Sequence, residues 1–78
     1  MVEISSPLTG MLYTALSSGA RPFAEVGTQV KKGDIICVIE AMKMLNEITA
    51  PCDGTVAEIH AANDTLVQKG QLLFKVRN

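Results

Sequence analysis

Glu3-Ile4-Ser5-Ser6-Pro7-Leu8-Thr9-Gly10-Met11-Leu12 is written a second time, 44 residues further on, as Glu47-Ile48-Thr49-Ala50-Pro51-Cys52-Asp53-Gly54-Thr55-Val56. Another correspondence carries Thr28 through Val38 onto Thr65 through Lys75 at an offset of 37, with Val30, Lys32, Gly33 and Ile35-Ile36 falling on Val67, Lys69, Gly70 and Leu72-Leu73. Two copies of one motif in 78 residues mean two half-domains. Neither can bury its apolar face alone, so each must pack against the other. The offsets differ by seven, so the first half holds about seven extra residues between Leu12 and Thr28. Ala15-Leu16-Ser17-Ser18-Gly19-Ala20-Arg21-Pro22 is the segment that supplies them, a small and polar insertion at about residues 15–22.

Each half reads as short strands. Met11–Tyr13, Ile35–Ile39, Leu45–Thr49, Thr55–Ile59 and Leu72–Val76 are rich in apolar and β-branched residues and are bounded by Gly, Pro, Asn or Asp. Gly33-Asp34 and Gly70-Gln71 can take positive φ, and Asp53-Gly54 is a turn signal, so Gly33, Gly54 and Gly70 are expected in tight turns. Helical periodicity is weak. The expected fold is all-β, a flattened sandwich or barrel with pseudo-two-fold symmetry in a single domain spanning residues 1–78.

Between two of these strands lies Glu40-Ala41-Met42-Lys43-Met44, one amine flanked by two methionines at an expected hairpin tip. Lysine at a tip is ordinary solubility chemistry, but two methionines in an exposed place are not. Symmetry sets this hairpin opposite the chain termini, because Val76 is the counterpart of Ile39. The insertion is expected to project on the hairpin side, leaving from the strand that Tyr13 ends.

The inventory excludes most other functions. Seven basic and eight acidic side chains give a net charge of −1, with no basic, aromatic-laced face for nucleic acid or anionic lipid. No apolar run approaches a membrane span, and residues 1–10 lack the charged and apolar regions of a signal peptide. Cys37 is expected as a buried free thiol and Cys52 as half exposed. With one histidine, His60, they offer neither a metal site nor a nucleophile-base pair. Asp34, Asp53 and Asp64 stand where turns use carboxylates to hold backbone. These features point to the cytoplasm and to a protein that presents Lys43 for acylation. For that chemistry an amine must be exposed, deprotonated at the moment of attack and carried on a long stem.

Glu40-Ala41-Met42-Lys43-Met44 resembles the biotinylation motif of biotin carboxyl carrier domains. Ser6-Pro7, Gly10, Val30, Lys32-Gly33-Asp34 and Pro51-x-x-Gly54-Thr55-Val56 are similar to the surrounding family pattern over nearly the whole chain. Related lipoyl domains usually place Asp before the lysine and Ala after it. The insertion, followed by Phe23-Ala24-Glu25-Val26-Gly27, resembles the thumb of bacterial acetyl-CoA carboxylase carrier subunits.

The resemblance implies biotin as covalent cofactor on Lys43, with Met42 and Met44 beside it and Glu40 and Ala41 as recognition residues for a biotin-protein ligase. It implies two further partners, a biotin carboxylase that loads a carboxyl group and a carboxyltransferase that delivers it to acetyl-CoA. Ala15 and Leu16 fall where the family's thumb would contact the cofactor, although Ala15 lacks the hydroxyl found there in the familiar version. Glu47 is a second charge flanking the tip. The other readings are a carrier for propionyl-CoA or pyruvate carboxylation, a lipoyl carrier, or a sandwich that only displays a binding face.

Overall fold

Leu12 and Val56 occupy the same place in the two copies, and both are buried at the centre of the molecule. The computed structural model describes residues 1–15 and 19–78 and gives eight strands among them. These are β1 (Val2–Ser5), β2 (Gly10–Tyr13), β3 (Gln29–Val30), β4 (Ile35–Ala41), β5 (Met44–Thr49), β6 (Gly54–Ile59), β7 (Thr65–Val67) and β8 (Leu72–Arg77). They form two four-stranded antiparallel sheets, ordered β1-β8-β6-β3 and β5-β4-β2-β7. The all-β sandwich expected from the repeat is therefore the fold.

The repeat also explains how the strands are shared. Each sheet takes strands from both halves, so β1, β6, β3 and β8 are the counterparts of β5, β2, β7 and β4. Register obeys the same mapping. Met11 faces Glu40 as Thr55 faces Arg77, and Gly10 faces Val67 as Gly54 faces Val30. Off the ladder, Gly33 N–H donates to Ala50 O at 2.9 Å, and Gly70 N–H donates to Ser6 O at 2.7 Å. Inward-facing mates fill one core, pairing Ile4 with Ile48, Val30 with Val67, Ile36 with Leu73, Cys37 with Phe74 and Ile39 with Val76. Exchange of strands between halves makes the two half-cores inseparable, which is how so short a chain buries these side chains.

Three strands lie beyond those expected: β1, β3 and β7. β1 was legible as the copy of β5. The pairs at β3 and β7 are only two and three residues long, too short for a period of two to register. Gly33 and Gly70 have φ of 94° and 88°, as their turns require. Gly54 is a correction. It opens β6, with the bend at residues 51–53 before it, and a Cβ there would stand 2.6 Å from Arg77 O and 2.7 Å from Val76 Cγ1. Close approach of β8, not turn geometry, demands a glycine. Gly10 repeats this, meeting Glu40 O and, at 2.9 Å, Ile39 Cγ2.

The turn carboxylates do backbone work: Lys31 N–H donates to Asp34 Oδ2 and Lys32 N–H to Asp53 Oδ1, both at 2.8 Å. Asp64 takes a φ of 62° at the place equivalent to Gly27.

Candidate functional site

Ala41 pairs with Met44, so Met42 and Lys43 alone connect β4 to β5. A two-residue hairpin loop whose twist suits its strands needs positive φ at both central positions, the type I′ arrangement that favours Asn-Gly. Met42 and Lys43 adopt it with φ of 53° and 62°. Left-handed backbone at residues with a Cβ costs roughly 1 kcal/mol each, so the sequence keeps a poor turn pair here against local preference. An unfavourable residue held at a strained turn points to a use for its side chain.

The amine stands at the far end of a rigid ladder. Lys43 is exposed, Met42 is 95% exposed and Met44 66% exposed. Asn46 stabilises the ladder from below, its Nδ2 donating to Ile39 O at 3.2 Å and Met44 O at 3.4 Å. Asn46 was missed from the sequence. The signal was a polar residue at an inward alternation slot, two before the buried Ile48. The described side-chain pairs, the His60–Glu58 hydrogen bond and the Lys75–Glu3 ion pair, leave Lys43 out. Its four-carbon stem is thus available to an incoming enzyme.

Glu40 and Glu47 both lie on the outer face of this sheet and are exposed, flanking the tip as expected. Ala41 is half buried at the base of the turn. The insertion is closed at its base by Phe23 N–H donating to Thr14 O at 2.8 Å. Where it projects rests on residues 16–18, which lie outside the described residues. Tyr13 faces Val38, so β2 runs away from the hairpin. At the base of the insertion, Ala15 lines one shallow cavity of about 160 Å³ with Tyr13, Val38, Glu40 and Leu45. Leu16 lies outside the described residues. Cys37 is fully buried and Cys52 half buried, both as free thiols, and burial pushes the Cys37 thiol up to about 12.

An exposed lysine on a two-residue hairpin, in a sandwich of two interleaved copies, now has a context. The family model described as biotin-requiring enzyme matches residues 2–76. The chain belongs to that family. As a member it is a non-catalytic carrier domain, and covalent attachment of biotin is characteristic of the family.

It is similar to the biotin carboxyl carrier protein of acetyl-CoA carboxylase from Streptococcus pyogenes, 45% identical over 95% of this chain and 45% of that protein. The chain spans about half the length of the curated relatives it matches. Among solved structures, urea carboxylase from Kluyveromyces lactis aligns with a TM-score of 0.79 at 28% identity, over 97% of this chain and 6% of that one. The lipoyl domain of the 2-oxoglutarate dehydrogenase complex from Azotobacter vinelandii aligns with a TM-score of 0.75 at 27% identity, over 100% of this chain and 98% of that domain. The family's fold therefore serves two cofactors, and backbone shape does not choose between them.

Proposed function

We propose that this chain is the biotin carboxyl carrier domain of an acetyl-CoA carboxylase and is biotinylated on Lys43. The observation that carries the proposal is the type I′ tip, where an exposed lysine stands between exposed methionines instead of Asn-Gly. In attachment, the Lys43 Nζ lone pair attacks the carbonyl carbon of an adenylated biotin. The amide C–N bond forms, the acyl C–O bond breaks, AMP departs and the amine gives up a proton. Biotin, once bound, supplies a ureido nitrogen that carries a carboxyl group. The domain contributes a soft apolar collar at Met42 and Met44 and a rigid ladder that aims the arm. Tethering raises the effective concentration of the group at two successive active sites, those of a biotin carboxylase and a carboxyltransferase. The same reading makes the carrier cytoplasmic, a compartment that keeps free thiols such as Cys37 and Cys52 reduced.

Intact-mass analysis after incubation with biotin, ATP and a biotin-protein ligase tests the site. One amide-linked biotin is expected on the wild type and none on Lys43→Ala; an increment that survives the substitution overturns it. A lipoyl carrier is the second reading, favoured by the likeness to the Azotobacter vinelandii domain and opposed by the Met-Lys-Met setting. Offering both ligases their substrates separates the two. The choice of acetyl-CoA rests on the insertion at 15–22 and on the names of the similar carriers. Preferential coupled turnover with pyruvate would reverse it.

A further inference from the structure

The two copies act as an internal control for surface function. Inward positions must fill one core and so stay alike, whereas outward positions are free to diverge. One outward row crosses the lysine-bearing sheet directly beneath the hairpin: Leu45, Glu40, Met11 and Leu66 are successive register partners. It lies one residue from the Ala41–Met44 pair that closes the turn. Across four strands such a row runs about 14 Å. Leu45 is 62% exposed and Leu66 63%, with Met11 half exposed between them. In the other sheet the partners Arg77, Thr55 and Gln29 hold the places of Glu40, Met11 and Leu66, and the offset of 44 gives the place of Leu45 to Met1, which is also exposed. One row further down, Val38 lies between Glu47 and Tyr13, where the other sheet has Lys75 between Glu3 and Glu58. Over these two rows the second sheet thus turns outward a mostly polar face with its charges balanced, Arg77 and Lys75 against Glu3 and Glu58, and the lysine-bearing sheet a mostly apolar face with two acids and no base.

Resting on the biotinylation reading, we propose that this outer face, Met11, Leu45 and Leu66 with Glu40 and Glu47, is the docking surface for the enzyme that acylates Lys43. Reach selects that partner. An enzyme acting on an already attached group can work at the length of a modified arm, but one acting on the bare amine must come within a single lysine side chain of the turn. Such an enzyme covers the row immediately below, and that row is the apolar one. Exposed aliphatic and thioether side chains give it area to desolvate. Glu40 and Glu47 call for basic groups at the edge of its site, which set orientation and encounter rate.

The other sheet's residues supply conservative variants, since they already stand at equivalent places on this backbone. Met11→Thr/Leu66→Gln should keep the wild-type denaturant midpoint while kcat/KM for biotinylation falls roughly tenfold, through KM with kcat retained. Glu47→Lys should raise KM, and Gln29→Ala on the opposite sheet should change nothing. Unaltered kinetics in the double variant overturn the proposal. So does normal biotinylation with slowed carboxylation, which would give the face to the carboxylase. A wild-type dimer in sedimentation that Met11→Thr/Leu66→Gln dissolves would make it a contact between copies and also overturns it. A wild-type chain that takes up no biotin removes the biotinylation reading itself.

Discussion

The hairpin end of the molecule and the end that holds the chain termini are built from the same motif, yet only one is specialised. At the terminal end β1 and β8 pair Val2 with Val76 with no hairpin joining them. At the hairpin end the equivalent partners are Asn46 and Ile39, and β4 continues into β5 through Met42 and Lys43. Val2 needs only to cover apolar surface, whereas Asn46 must satisfy carbonyls beneath a strained turn. The buried pairs differ little between the copies, so folding alone cannot explain the turn or the outer row. What diverges between two copies sharing one core marks what the molecule does beyond folding.

The comparison breaks most sharply at the crossing glycines. Gly10 and Gly54 lie where a neighbouring strand passes over the backbone, and a Cβ at either meets carbonyl oxygen. Gly54→Val and Gly10→Val should each cost about 3 kcal/mol, because backbone in a sheet cannot move aside as a flexible side chain would. Gly33→Val and Gly70→Val have open space around the added side chain and carry only the positive-φ penalty, roughly 1–2 kcal/mol. Denaturant midpoints would check both pairs. Unequal costs within a pair would show that the copies have drifted in their cores as well as on their surfaces.

A smaller effect concerns a core pair that differs in chemistry, Cys37 and Phe74. Burial lifts the thiol from 9.0 to about 12 because the thiolate would lose its hydration. The folded chain therefore keeps a proton that the unfolded chain releases. Stability from this group is complete below pH 9.0 and declines as pH climbs toward about 12. Unfolding measured from about pH 8 to 11 should show an alkaline loss that shrinks in Cys37→Ala. A thiol reagent should modify half-buried Cys52 in the native state and Cys37 only on unfolding. Rapid native labelling at both positions would contradict the packing.

Much of this was legible in the order of residues, for a physical reason. An inward strand position tolerates little but apolar volume, so Val30 and Val67, or Ile39 and Val76, stay apolar and β-branched in both copies and announce the repeat. Lys43 was legible because methionine on each side violates the habits of a surface turn. The type I′ backbone was not, since Met-Lys carries no signal for positive φ. The docking row was not legible either. Met11 and Leu66 become neighbours only through β2–β7 pairing, which sequence distance conceals. That the insertion leaves from the strand end away from the hairpin was not legible, because the sense of β2 relative to β4 is a fact of register and not of composition.

The smallest expected changes are at the tip, and they bear directly on whether Lys43 is kept for folding or for its amine. Met42 and Lys43 have left-handed backbone that glycine would adopt without a Cβ penalty. Met42→Gly should therefore raise the denaturant midpoint by the equivalent of about 0.5–1 kcal/mol, the turn's relief less the added freedom of the unfolded chain. Lys43→Ala keeps a Cβ in the same backbone conformation and removes only an exposed stem, so it should change stability by under about 0.5 kcal/mol. A turn that tightens when Met42 is replaced, and is indifferent to losing the lysine side chain, is held at some cost to folding for what it presents. If Lys43→Ala proved more damaging to stability than Gly33→Val, the lysine would be structural. The divergence between the two ends of the sandwich would then need another cause.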